Sequence, residues 1–260
     1  MAGPRPRQRR SLRRWLPGIG SAGPGHRPRR LQALRATAWF LTLAITAVLA
    51  VQLWYFAGVL WWNAFDPGPT RFMRQELARL RETDPHRELR HRWVPYPRIS
   101  VHLKRAVIAA EDANFTEHDG VDWDAIELAY EQNLQRGRVV RGGSTITMQL
   151  AKNLFLSHDR SYLRKGQEIV ISYMIETVMA KRRILELYLN VAEWGVGVFG
   201  AEAGAAHHFG VSAAQLGPRE AARMAAMLPR PRYYDANRGS PALARRAAIV
   251  GRWMGSVDPP

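Results

Sequence analysis

The apolar positions of this chain follow different periods in different regions. Beyond Ser100 they recur at helical spacing with few alternating β-branched runs, which predicts helices over 101–113, Trp123–Gln135, 145–155, 162–180, Lys181–Val191, 200–209 and Pro218–Met227. Leu228-Pro229 closes the last of these, and Pro241–Trp253 reads as a further helix. Asp122 and Ser144 stand where N-caps are expected for the helices after them. Residues 101–258 therefore read as a mainly α domain around one core.

Before that domain the pattern is different. Residues 36–62 contain no charged side chain, and at about 1.5 Å per residue a helix over them exceeds the roughly 30 Å of bilayer hydrocarbon. Trp39 and Phe40 at one end, and Trp54, Tyr55, Trp61 and Trp62 towards the other, suit the two aromatic belts. A buried core helix would show the same composition. A cleaved signal peptide normally has an apolar region of only about 7–15 residues, so the reading is an uncleaved transmembrane anchor. Residues 63–100 hold Pro67, Pro69, Pro85, Pro95 and Pro97, and read as a linker and membrane-proximal jaw with one helix over 70–82, then extended chain.

Charge sharpens the topology. The 260-residue chain carries a formal +16, yet no Asp or Glu precedes Asp66 while Arg is frequent from Arg5 to Arg35. Much of the excess is thus a basic arm over 1–35, too poor in apolar residues to fold by itself and expected to be disordered. It lacks the interleaved aromatics of a base-stacking surface, so no nucleic-acid partner is expected. By the positive-inside rule the arm is cytoplasmic, which puts everything after the anchor outside the inner membrane, in the periplasm. The absence of cysteine is compatible with that compartment without arguing for it.

Several side-chain groups carry candidate chemistry. On a helix capped at Ser144, Thr145, Gln149 and Lys152 share one face, and Gly142 and Gly143 would let an oxyanion approach the first amides. Arg164 and Lys165 fall beside Glu168 at helical spacing, as a surface ion-pair group or as cations facing a diphosphate, with Glu168 orienting them or holding a metal. Glu111, followed by Asp112 near a helix end, is placed to have its pKa raised towards working pH. His118 reads as a loop or capping residue rather than a base. His207 and His208 have no compact ligand set near them in sequence. Taken singly, each group also fits an ordinary turn, polar helix face or solvated surface.

In order, however, these segments resemble the motifs of the family-51 glycosyltransferases, the peptidoglycan glycan-chain polymerases, and most closely the monofunctional biosynthetic transglycosylases. Residues 111–120 look like Glu-Asp-x-x-Phe-x-x-His-x-Gly, residues 142–153 like Gly-x-Ser-Thr-Ile-Thr-Gln-Gln-x-x-Lys-Asn, and residues 164–168 like Arg-Lys-x-x-Glu. Residues 181–190 with Gly195, and residues 200–210, are similar to a fourth and a fifth motif. Met148 and His208 depart from the pattern, at a usual Gln and a usual Tyr.

The resemblance implies a lysozyme-like helical fold with a small membrane-facing jaw, and polymerisation of lipid II with inversion and release of undecaprenyl diphosphate. It implies Glu111 as the base on the acceptor 4-hydroxyl, and Glu168, Arg164, Lys165 and Lys152 around the departing diphosphate, often with Mg²⁺ or Mn²⁺ on Glu168. Asp112, Phe115, His118, Ser144, Thr145, Gln149 and Asn153 are carried over as substrate-binding positions. The implied partners are lipid II, the growing lipid-linked glycan, the membrane, and proteins of cell division or elongation. No Ser-x-x-Lys motif occurs, so no peptide cross-linking activity is expected. Lytic muramidases on a similar scaffold, and a non-catalytic scaffold of the cell-wall machinery, are the rival readings.

Overall fold

A computed structural model describes Gly3 and residues 29–137, 142–156 and 161–260. The expected disorder of the basic arm, 1–35, is corrected at residues 29–35, which are helical, and otherwise falls, Gly3 apart, outside the described residues. The chain divides into two compact units, residues 1–49 and 50–260.

Helix α1, Arg29–Ala64, begins in the first unit and ends in the second. Its stretch Gln32–Ala64 is long and apolar enough to cross a bilayer. Residues 32–49 are exposed on every face, as a lipid-facing helix requires. From Gln52 onward one face is covered, at Gln52, Tyr55, Phe56, Val59 and Trp62. That spacing of three and four residues is a single helical stripe, itself part of the second unit and packed against the rest of it.

The second unit is mainly helical, as the apolar period predicts. Helix α2, Arg71–Arg81, starts where Thr70 accepts from the Met73 amide. It is followed by strand β1, Arg90–His91, and by helices α3 (Val101–Glu111), α4 (Trp123–Gln135), α5 (Ile146–Phe155), α6 (Tyr162–Val178) and α7 (Lys181–Val191). Strands β2 (Glu193–Gly195) and β3 (Val198–Phe199) precede α8 (Ala201–Phe209), α9 (Pro218–Met227), α10 (Pro231–Ala236) and α11 (Pro241–Trp253). Asp122 caps α4 as its spacing indicates, accepting from Ala125 N at 2.8 Å.

The α5 cap differs from expectation. It is Thr145, not Ser144, whose hydroxyl accepts from Met148 N at 3.1 Å. Ser144 is occupied elsewhere, accepting from the Lys165 ammonium. The three strands form one small sheet in the order β1-β3-β2, with β1 parallel and β2 antiparallel to β3. Stretches this short carry no readable alternation, so periodicity does not find them.

One core joins nearly all of this. Trp194, Tyr188, Phe115 and Phe199 are its largest fully buried side chains. The stretch 63–100, which its prolines make look like a linker, sends Phe72, Met73, Val94, Tyr96 and Ile99 into the same core. It is built into the second unit rather than leading to it.

Candidate active site

Glu111 is the last residue of α3, and Asp112 ends the helix. The Asp112 carboxylate is buried and ties this corner to the next motif: one oxygen accepts from the Ile146 amide at 2.9 Å. His118 closes the other side, 2.9 Å from Asp112 Oδ1. Its Nδ1 accepts from the Gly120 amide, so Nε2 carries the proton and donates to Asp112. His118 therefore caps its loop, as the sequence suggests, and also orients Asp112. Gly120 sits at φ 94°, where a side chain would be strained, and a Cβ there would lie 3.1 Å from the Ser172 carbonyl oxygen. The loop can thus pack tightly on α6.

This arrangement narrows one expectation and corrects another. Two of the amides at the start of α5 are already taken, that of Ile146 by Asp112 and that of Met148 by Thr145. Gly143 answers a packing need instead, since a Cβ there would meet the Ile126 Cα at 2.8 Å. Phe115 is fully buried, with its ring against Lys181 and His118, so it supports the loop and cannot touch a substrate.

Glu111 faces a cavity of about 430 Å³, lined also by Asp112, Asn114, Ser144, Thr145 and Arg246. A second cavity, of about 420 Å³, is lined by Lys152, Asn153, Arg164, Tyr188, Arg230 and Arg232 among others. Gln149 and Pro229 line both. Gln149 donates to a Glu111 carboxylate oxygen at 2.9 Å and accepts from the Tyr188 hydroxyl at 3.0 Å. Burial raises the Glu111 pKa; the Gln149 bond, the Arg246 and Lys152 charges pull against it, and Asp112 adds to it. The result is a carboxylate made more basic by its site.

Beside the second cavity lies the cation cluster. Glu168 is buried on α6, with Arg164 at 2.7 Å on one oxygen and Lys165 at 2.6 Å on the other. Lys165 also reaches Ser144 at 3.0 Å, which joins α6 to the segment before α5. The Lys152 ammonium has its pKa lowered, first by burial, then by Arg164 and Lys165, against the support of Glu168 and Glu111. These cations are held together by one buried acid and gain most from an incoming anion.

A resident Mg²⁺ or Mn²⁺ on Glu168 does not fit this donor set. Such hard cations need several oxygen ligands, and both Glu168 oxygens are already engaged by cations. Among the described residues, the grouping with metal-ligand geometry is His207, His208 and Asp235, a compact set that sequence distance conceals. Its atoms are also engaged. Arg90 and Arg238 each lie 2.9 Å from a His207 ring nitrogen, and His208 donates to the Trp194 carbonyl at 2.6 Å. Two guanidinium groups against one imidazole make it a poor cation site.

The motif residues thus sort by place. Glu111, Asp112, Ser144, Thr145 and Gln149 face the first cavity; Gln149, Lys152, Asn153 and Arg164 face the second; Lys165 and Glu168 brace Arg164 and Ser144 from outside both linings. Arg246, Tyr188, Arg230 and Arg232 are site residues that the motifs do not announce. Arg246 belongs to an amphipathic helix far along the chain, and Tyr188 to the fourth motif, residues 181–190, none of which carries a site role in the sequence reading. Among the described residues, neither Arg164 Nε nor Arg246 Nε, both buried, has a hydrogen-bond partner, and one lies beside each cavity. Such orphan donors are costly unless something fills them.

Comparison with known proteins agrees with this geometry. A family profile described as Transglycosylase matches residues 76–255. The chain is 62% identical over 236 residues to a biosynthetic peptidoglycan transglycosylase of Bordetella pertussis, covering 87% of this chain and 98% of that one. It is 59% identical over 222 residues to one from Janthinobacterium sp. (strain Marseille), covering 85% and 96%. A third, from Chromobacterium violaceum, is 52% identical over 220 residues, covering 85% and 96%. With the profile spanning most of the chain and the site built from its motifs, this protein belongs to the transglycosylase family and is a glycosyltransferase.

Proposed function

We propose that the protein polymerises lipid II into peptidoglycan glycan strands, releasing undecaprenyl diphosphate with inversion and without cross-linking peptides. The observation that carries this reading is Glu111, a burial-activated carboxylate on the first cavity, bonded to Gln149 at the wall shared with a cation-lined second cavity. The acceptor saccharide occupies the first cavity and the donor, with its diphosphate, the second. The acceptor 4-oxygen forms a bond to the donor anomeric carbon, its proton passes to Glu111, and the bond from that carbon to the phosphate oxygen breaks. The diphosphate departs as an anion, so cations serve it where an alkoxide would need an acid. Lys152 and Arg164 meet the developing charge.

A lytic muramidase needs a second carboxyl group free to act as acid, base or nucleophile. Glu168, bound on both oxygens by cations, is unsuited to that role. The substrate's lipid tail also suits the apolar helix α1, which we read as a single-pass inner-membrane anchor with the basic arm cytoplasmic and the site periplasmic.

The test is conversion of fluorescent lipid II to polymer by wild type and Glu111→Gln. The wild type yields polymer, and the variant yields none while keeping a cooperative thermal transition. Full activity in the variant would sink Glu111 as the base. Shortening of lipid-free glycan by the wild type, with no polymer from lipid II, would favour the lytic reading.

A further inference from the structure

The covered stripe of α1 lies against the helices that carry the cation cluster. Gln52 and Gln167 exchange two hydrogen bonds, each amide donating to the other's carbonyl oxygen at 2.9 Å. Gln167 is the neighbour of Glu168. One turn on, Tyr55 meets Phe155 edge-on with ring centroids 5.8 Å apart. Gly58 then lets the backbone approach that same ring: a Cβ would stand 2.7 Å from Phe155 Cε1. Phe155 ends α5, three residues after Lys152. At the far end Arg183 donates to the carbonyl oxygens of Trp62 and Phe65, each at 2.9 Å from Nη2, while its Nη1 pairs with Asp66.

These contacts do more than attach a tether. A helix of 36 residues runs to about 54 Å, well beyond the roughly 30 Å that hydrocarbon requires. The docked stretch, Gln52 to Trp62, accounts for about 16 Å of that length. In the reciprocal amide pair each amide satisfies both of its partner's groups, which fixes register along the helix as well as contact. Small residues opposite an aromatic ring do the same for distance.

We propose that the stretch from Gln52 to Trp62 is a positioning element of the catalytic site. It holds the α5 and α6 cations to the segment through which the chain enters the bilayer, so that a diphosphate anchored in that bilayer is met at a set height. Gln52, Gly58 and Gln167 are positioning residues, acting through Lys152, Arg164 and Lys165. The proposal rests on the membrane-bound diphosphate substrate argued above.

The experiment compares two substrate forms with the full-length protein. One is lipid II in phospholipid vesicles with the enzyme reconstituted beside it; the other is a short-prenyl lipid II analogue dispersed in detergent. Gln52→Leu/Gln167→Leu, which replaces both amides and leaves neither unpaired, and Gly58→Leu, which wedges α1 away from Phe155, are expected to lower kcat/KM on vesicles about tenfold. Activity on the dispersed analogue stays within about twofold of wild type, since a free substrate finds the site at any height. Gln52→Asn/Gln167→Asn supplies a variant that keeps the amides but shortens their reach, and it too should lose activity on vesicles alone. Thermal transitions monitor folding. An equal loss on both substrates in every variant, or no loss on either, overturns the proposal. A wild type that polymerises neither substrate overturns the transfer reading itself, a different outcome from variant-specific effects.

Discussion

Gln149 donates its amide hydrogen to Glu111 at 2.9 Å while Tyr188 holds the other end of the same side chain. Gln149 is therefore not free to turn, and its donor always faces the carboxylate. Burial and Gln149 act on Glu111 in opposite directions: one makes the carboxylate basic, the other keeps it ionised enough to accept a proton. A base needs both properties at working pH.

Removing the donor tips that balance. In Gln149→Leu the bond favouring the charged form is gone, so the Glu111 pKa rises further and the acid limb of the kcat/KM profile moves to higher pH. Activity at neutral pH falls by about tenfold or more. Tyr188→Phe frees the Gln149 carbonyl end and should shift the limb the same way by less. A pH profile on lipid II measures both, and an unmoved acid limb in Gln149→Leu would contradict the role given to this bond.

Arg246 acts on the same carboxylate from α11 and lines the first cavity. Arg246→Met removes a charge that favours ionised Glu111, so the acid limb again moves upward. It also removes an unfilled buried donor beside the acceptor, so kcat/KM should fall by about ten- to a hundredfold, with acceptor KM rising. Loss of activity without any displacement of the pH profile would place Arg246 outside the electrostatics of the base.

Much of this site was legible in the sequence, and the reasons are local. Helices α4, α7, α9 and α11 follow from apolar period, an Asp cap and prolines at first turns, all properties of neighbouring residues. The α5 cap was not, because Ser144 and Thr145 are both good caps and the choice is made by Lys165 and Gly120 from distant segments. Phe115 belongs to a catalytic motif yet packs in the core, since a motif records which residues are needed without recording what they touch. His207 and His208 lacked a visible partner because Asp235 reaches them only after β2, α8 and α10 are folded. Short α10 was hidden between Pro229 and the irregular chain after it.

Glu168 governs the opposite limb. Its charge supports protonated Lys152 against burial. In Glu168→Gln that support is lost, the Lys152 pKa drops further, and the basic limb of the profile should move to lower pH. The amide also leaves Arg164 and Lys165 without a shared counter-charge, so the thermal midpoint falls by about 4 °C or more. Glu168→Asp, which retains charge at shorter reach, should recover part of the basic limb. If both variants keep the wild-type limb, Glu168 serves packing alone.

Finally, the base itself is expected to cost stability. A carboxyl group whose pKa is higher folded than unfolded binds protons more tightly in the native state, so stability is lost as pH rises through the interval between the two values. For Glu111 that interval starts near the ordinary 4.5 and extends upward to its raised folded pKa. Below it the group is neutral in both states and imposes no penalty; above it the penalty is complete. Glu111→Gln cannot ionise and escapes it while keeping nearly the same shape. The variant should therefore melt about 2 °C or more above wild type at neutral pH, while the two curves converge below about pH 4.5. Scanning calorimetry from acid to neutral pH measures the difference. A variant less stable than wild type at neutral pH would mean that the Gln149 and Arg246 contacts outweigh the burial of Glu111, and that the site is not strained in favour of its chemistry.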